Sequence, residues 1–278
     1  MAKRGFGIAA ATLTELIGPL ANAAESNGYD TFWVNDTPGA DGFVALQQAA
    51  EATKRIRLGV GVIPVDRRSA TDIAKAITKF GLPKERLLVG IGAGGVLYGS
   101  LDNVGSAIHT IQTDAGVPVA VGALGPRMIA LAAQDADAVL LNWLMPRQAR
   151  LSTGEIRRQQ GDRHQCEVIA YVRVALPDGF EQLAGEGDRY AASGVHPHWS
   201  GCFSPRGPTP WGRRGTVLPP SLPPPATSRA CKHSRWTPVR TERRKTFKPS
   251  WQPSTSRWMR PSYAPFPGEK RSMLIWAS

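Results

Sequence analysis

Two glycine-rich turns and one polar cluster hold the residue types and spacings that could do chemistry. Gly90-Ile91-Gly92-Ala93-Gly94-Gly95 fits the GxGxxG spacing, in which glycines let backbone amides approach a pyrophosphate at a helix start. That fingerprint requires a helix directly after its third glycine and belongs to the first strand of its domain. Here the run follows a fourth strand-like segment and continues into "VLYGSLDN", so glycines that merely turn the chain are the competing reading. In "VGALGPRM", Gly122 and Gly125 keep side chains out of the way and Pro126 suits a first helical turn. Free amides there, with Arg127 beside them, would favour a phosphate; a plain tight turn is the alternative. Asn35-Asp36-Thr37 is the third cluster, placed where an apolar run ends.

Other reactive residue types fit quieter roles. His196-x-His198 could ligate a metal from alternate strand positions, but no carboxylate or cysteine stands at a motif spacing, so no metal centre is expected. His109 falls on a helix surface or helix contact, and Cys166 reads as a small core residue. Asp135 and Asp137 read as solvated groups at a helix end and a strand start. Trp33 and Trp143 either line a ring pocket or pack at its edge.

These clusters are positioned by a regular alternation of strand-sized and helix-sized runs. Strands are expected at Gly5–Ala10, Thr31–Val34, Ile56–Ile63, Arg86–Ile91, Pro118–Val121, Ala138–Leu141 and Glu167–Ala175. Helices are expected from about Thr14 to Gly28, with Leu16, Leu20, Ala23 and Ala24 inward, then at Phe43–Thr53, Ala70–Phe80 and Val104–Asp114. Three more follow at Met128–Gln134, Arg147–Gln160 and Phe180–Ala192. Runs such as "RLLVGIG" and "DAVLLNW" are apolar throughout, as strands buried on both faces of a parallel sheet must be. Seven βα units averaging about 27 residues match the pitch of a (β/α)8 barrel, whose chemistry sits at the strand C-terminal ends. The expected class is therefore α/β, of the (β/α)8 TIM-barrel type. It reads as incomplete, with about seven βα units, because no strand-like run after Ser193 offers an eighth and "MLIWA" is too short and distant. Strands one and seven would then be unpaired edges that favour association of copies.

Composition divides the 278-residue chain in the same place. Its net charge of +12 comes from residues 199–278, which hold 15 of the 34 Lys and Arg but only Glu242 and Glu269 as acids. The same stretch holds 14 of the 23 prolines and six of the eight tryptophans, with few aliphatics, so disorder is expected. Two segments follow: a domain at 1–198 and a basic Pro/Arg/Ser/Trp-rich tail at 199–278. The tail reads as nucleic-acid binding, as membrane-surface binding or as out-of-frame translation, and its aperiodic composition fits the third best. Nucleic acid is thus not the expected partner, and no run reaches the about 20 apolar residues of a membrane span. Three widely spaced cysteines suit a reducing cytoplasm, and "MAKRGFGIAAATL" reads as a first strand rather than a signal peptide.

The segment from Gly28 to Ser69 resembles the luciferase-like superfamily of flavin- and deazaflavin-dependent oxidoreductases. The matching residues are Gly28-Tyr29-Asp30, Phe32-Trp33-Val34 and Asp36, then Thr53, Arg55, Ile56, Leu58, Gly59 and Val62. "ERLLVGIGAGG" and "GALGPRMIALAAQDADAV" resemble later motifs of that family, in its order, so the likeness runs over about residues 5–193. It implies FMN or the deazaflavin coenzyme F420 as cofactor, a small organic substrate, and hydride transfer or oxygen activation. It places a strand-three bulge with a non-prolyl cis peptide behind the ring at Gly61-Val62. Gly92, Gly94, Ala123, Leu124, Gly125 and Arg127 would hold the phosphate, and Asp36 would be the polar catalytic group by the ring edge. Two positions depart from the pattern: Thr37 stands where deazaflavin members carry His, and Val96 where many carry Glu. The competing reading is an inactive, truncated or frame-shifted family member.

Overall fold

The computed structural model describes residues 3–37, 39–95, 99–144, 146–161, 165–174, 183, 185 and the backbone of 271–277. The Phe180–Ala192 helix, His196, His198 and residues 199–270 lie outside the described residues, except that Leu183 and Gly185 are helical. Among the described residues, seven strands alternate with six α-helices up to Val174. They are β1 (Lys3–Ile8), α1 (Thr14–Ser26), β2 (Thr31–Val34), α2 (Gly42–Ala52), β3 (Arg57–Pro64), α3 (Ala70–Lys79) and β4 (Leu87–Gly92). After them come α4 (Ser100–Ala115), β5 (Val119–Gly122), α5 (Pro126–Asp135), β6 (Ala138–Asn142), α6 (Pro146–Gln159) and β7 (Glu167–Val174). Each strand pairs in parallel with the next, as the apolar runs require.

The seven expected strands are all present, and one further strand was not expected. Arg271–Ala277, which includes the dismissed "MLIWA", forms an eighth strand, β8, paired in parallel with both β1 and β7. The ring is therefore closed, and strands one and seven are not free edges. Backbone pairing needs only a run of extended residues in register, so distance along the chain did not exclude it.

Each helix buries one stripe against the outside of the ring. In α1 the stripe is Ile17, Ala21 and Ala24, with Leu20 partly buried beside it; Leu16 is 44% exposed and Ala23 is exposed. The spacing i, i+3, i+4, i+7 from Ile17 is the helical face, so the expected stripe starting at Leu16 lay one residue off. Helix starts are capped where the sequence allows it. The Asp41 carboxylate accepts from the Phe43 amide at 2.9 Å, and Ser69 Oγ accepts from the Asp72 amide at 3.1 Å.

Two apolar layers result. The larger lies between strands and helices; the smaller fills the ring itself with Trp33, Leu88, Ala120, Ala138, Leu140, Ile169 and Tyr171. Gly59 exists for the second layer, since a side chain there would run into the Trp33 ring. The N-terminal end of the ring is tied by charge: Glu167 takes Arg57 at 2.6 Å and Lys3 at 4.0 Å.

Candidate active site at the C-terminal end of the strands

The strand ends bring most of the expected residues to one mouth of the ring. Asp36 follows β2, the Gly61-Val62 step lies within β3, Gly92 ends β4 with Gly94 in the turn after it, and Ala123–Arg127 join β5 to α5. The β3–β4 register shifts between Val60 and Ile63, so β3 is bulged there, and the Gly61-Val62 peptide is cis. Val62 is only partly buried and reaches between its neighbours. A side chain on Gly92 or Gly122 would press on its methyl groups at 3.0 and 3.1 Å. Three segments thus meet at Val62, two of them through glycines, and make a platform there.

The β5–α5 turn suits an anion. Gly125 is the N-cap of α5, has no side-chain cap, and has nothing within 4 Å of where a side chain would stand. Pro126 opens the helix, and Arg127 is exposed beside it. Ala123 is buried, its amide spent on the Leu140 carbonyl at 3.1 Å, so it shapes the turn rather than offering its amide. An open helix start with a neighbouring guanidinium fits a phosphate.

The β4 turn is arranged differently. Gly94 has φ +72°, a backbone setting that favours glycine, and a side chain there would collide with the Asp66 carboxylate. Asp66 Oδ2 accepts from the Gly95 amide at 2.8 Å. An internal carboxylate therefore already holds this turn, and a phosphate at Gly94 would have to displace it.

Asp36 is nearly buried and both its oxygens are engaged. Oδ1 accepts from the Gly42 amide at 2.8 Å, and Oδ2 is paired with the Arg67 guanidinium. Next along the chain, Arg68 grips Asp41 with two hydrogen bonds of 2.7 and 3.3 Å and covers the Phe43 ring at 5.3 Å. Burial alone would raise the Asp41 carboxyl, but Arg68 and the Phe43 amide outweigh it and hold it below its ordinary value. Asp66, Arg67 and Arg68 were not singled out from the sequence; their one signal was a run of charge directly after an apolar strand. Thr37, where a His would be the proton-transfer group of deazaflavin members, closes a tight turn with Ala40 through two backbone hydrogen bonds of 3.1 and 3.2 Å. Val96 lies outside the described residues.

The remaining residues resolve into packing. Trp33 is 1% exposed and meets Tyr171 edge-to-face at 5.6 Å inside the ring. Trp143 follows β6 with φ +55° and carries the Arg173 guanidinium over its ring at 5.5 Å. Cys166 is buried, and burial pushes its thiol up to about 12, which suits a core residue and not a nucleophile. His109 is on the surface. Asp137 is a correction: it is no solvated group but accepts from the Val119 amide at 2.8 Å and from Gln112 at 3.1 Å, tying β6 to β5 and α4.

Comparison with known proteins supports this architecture. Residues 7–97 match the model of the luciferase-like monooxygenase family. Over 216 residues the chain is 26% identical to a Mycobacterium tuberculosis protein assigned as a coenzyme F420-dependent oxidoreductase. That match takes in 57% of this chain and 62% of the relative, so the chain spans about three fifths of the relative's length. The coenzyme F420-dependent tetrahydromethanopterin reductase of Methanopyrus kandleri superposes with a TM-score of 0.52 at 19% identity, over 69% of this chain and 72% of that one. An F420-dependent secondary alcohol dehydrogenase, solved with an F420–acetone adduct, gives 0.54 at 18% identity, over 73% and 76%. A monooxygenase from Streptomyces bottropensis gives 0.53 at 18% identity, over 70% and 80%. At these identities the structures establish a shared barrel fold. No helix among the described residues is long and apolar enough to cross a membrane.

Proposed function

We propose, from the match of residues 7–97 to the luciferase-like monooxygenase family, that the protein is an oxidoreductase using FMN or coenzyme F420 on a small organic substrate. The observation that carries this is the open start of α5, with Gly125 unobstructed and Arg127 exposed, together with the platform around Val62. A flat ring needs an apolar seat and a phosphate needs amide donors and a cation; Val62, against Gly122 at the end of β5, and the α5 start that follows would supply the two. When bound, the cofactor supplies the redox step, accepting or giving a hydride or, as a flavin, reacting with oxygen.

The chain's own residues bind and orient. In this reading Gly61 and Val62 back the ring, Gly92 and Gly122 leave it room, and Leu124, Gly125 and Arg127 hold the phosphate. Gly94 lines the same edge, with Asp66 directing negative charge away from it toward Arg127. Asp36 acts through Arg67, which is one-third exposed. With Thr37 in place of a proton-accepting His, the reading favours chemistry needing little side-chain proton transfer, such as reduction or monooxygenation.

Titration of the purified chain with FMN and with F420, followed by quenching of cofactor fluorescence, tests the proposal. Saturable micromolar binding of one of them supports it. Absence of binding by both, in protein with a native circular dichroism spectrum, refutes it.

A further inference from the structure

Gly61 lacks a side chain for a reason that lies below the bulge, inside the ring. A side chain at this position would run into the Tyr171 hydroxyl first and would sit 2.9 Å from its Cζ and 3.1 Å from Leu140. Tyr171 comes from β7, on the far side of the ring from β3, so its ring spans the interior to reach the bulge. It is held there by the edge-to-face contact with Trp33, whose own position requires Gly59.

The hydroxyl is also unusual in its surroundings. It is fully buried and has no hydrogen-bond partner among the described residues, although buried phenols ordinarily find one. Burial also raises its ionisation well above the ordinary value, so the group is a neutral, apolar-packed prop. Among the described residues, the partly buried Ala9 and Val62 pack against this interior layer. The Tyr171 hydroxyl therefore bears on the bulge from beneath while Val62 presents its upper side.

We infer that Tyr171 is a positioning residue: its hydroxyl against the Gly61 α-carbon sets the height of the Gly61–Val62 platform and is the reason position 61 must be glycine. This rests on the reading that a flat cofactor lies on that platform, but the pairing itself does not.

A double-mutant cycle tests it, using the full chain and the variants Gly61→Ala, Tyr171→Phe and both together. Three quantities are read: the thermal midpoint without cofactor, the Kd for FMN and for F420, and the absorption band of the bound cofactor. Gly61→Ala is expected to lower the midpoint and weaken binding by roughly 10- to 100-fold, the usual consequence of overpacking. Adding Tyr171→Phe is expected to recover at least about fivefold of that loss and part of the midpoint. Tyr171→Phe alone is expected to shift the absorption band, which a purely structural role would leave in place. Additive losses, or an unshifted band with wild-type affinity, would overturn the inference, because glycine would then be demanded by the bound molecule itself. Should Gly61→Ala not fold, recovery of folded protein in the double variant supports the pairing, and failure to recover opposes it. If wild type binds neither cofactor, the functional reading fails while the melting cycle still decides the pairing.

Discussion

Arg57 and Glu167, the first residues of β3 and β7, meet at 2.6 Å across the N-terminal end of the ring. Those strands stand four apart in an eight-strand ring, so the pair bridges its opposite walls. With Lys3 from β1 also near Glu167, the pair closes the end of the barrel remote from the platform. Ends of this kind serve stability, and the opposite ends serve chemistry. Glu167→Gln should therefore cost about 1–2 kcal/mol in urea unfolding, between the values for exposed and buried pairs, since both side chains keep some solvent contact. Cofactor affinity should stay within about twofold of wild type, which a fluorescence titration checks.

Glu25 predicts a pH dependence. Its carboxylate accepts the amides of Arg55 and Ile56 at 2.7 Å each and of Lys54 at 3.1 Å, fastening the end of α1 to the start of β3. Burial pushes its carboxyl up, but the three amides together lower it below the ordinary 4.5. A carboxylate with a depressed folded-state value stabilises above its unfolded value and loses that contribution as pH falls through the folded one. Glu25→Gln should thus be less stable than wild type at pH 7, by about 1 kcal/mol or less at so exposed a site. The gap should close as pH drops below 4.5; thermal melts between pH 7 and pH 3 measure it.

Cys166 should behave as a core residue. With its thiol pushed up to about 12 by burial, almost none is ionised at pH 8. Alkylation by iodoacetamide at that pH, mapped peptide by peptide, should leave Cys166 unlabelled in native protein and label it in urea.

Much of the barrel was legible because buried parallel strands announce themselves. "LLVGIG" and "AVLLN" are apolar at consecutive positions, and β4 and β6 are buried along nearly their whole length. What stayed illegible depends on distant partners. Arg271–Ala277 is a short run whose strand character comes from β1 and β7 on either side. Asp66 and Arg67 look like ordinary charges after a strand until the turn at Gly95 and the carboxylate of Asp36 are beside them. Gly59 was a motif match and Gly61 part of the strand-three bulge, whereas Trp33 and Tyr171 occupy the space their side chains would fill. Tyr171 leaves one signal in the sequence, as the lone aromatic of Glu167–Val174.

Charge on the two glycine turns should act in opposite directions. Arg127→Gln should weaken FMN binding by about tenfold through loss of a phosphate contact. Asp66→Asn keeps an acceptor for the Gly95 amide but removes the negative charge, so affinity should rise by about threefold, as expected for an exposed charge. Titrations at 20 and 300 mM salt check both, and both effects should shrink at the higher salt.

Amide hydrogen exchange with and without FMN or F420 tests the central claim most directly. The account predicts that whichever cofactor binds will slow exchange in peptides covering residues 35–37, 61–66 and 122–128, and leave those at the N-terminal strand ends, around Arg57 and Glu167, unchanged. Protection concentrated at that N-terminal end, or spread evenly over the outer helices, would contradict it.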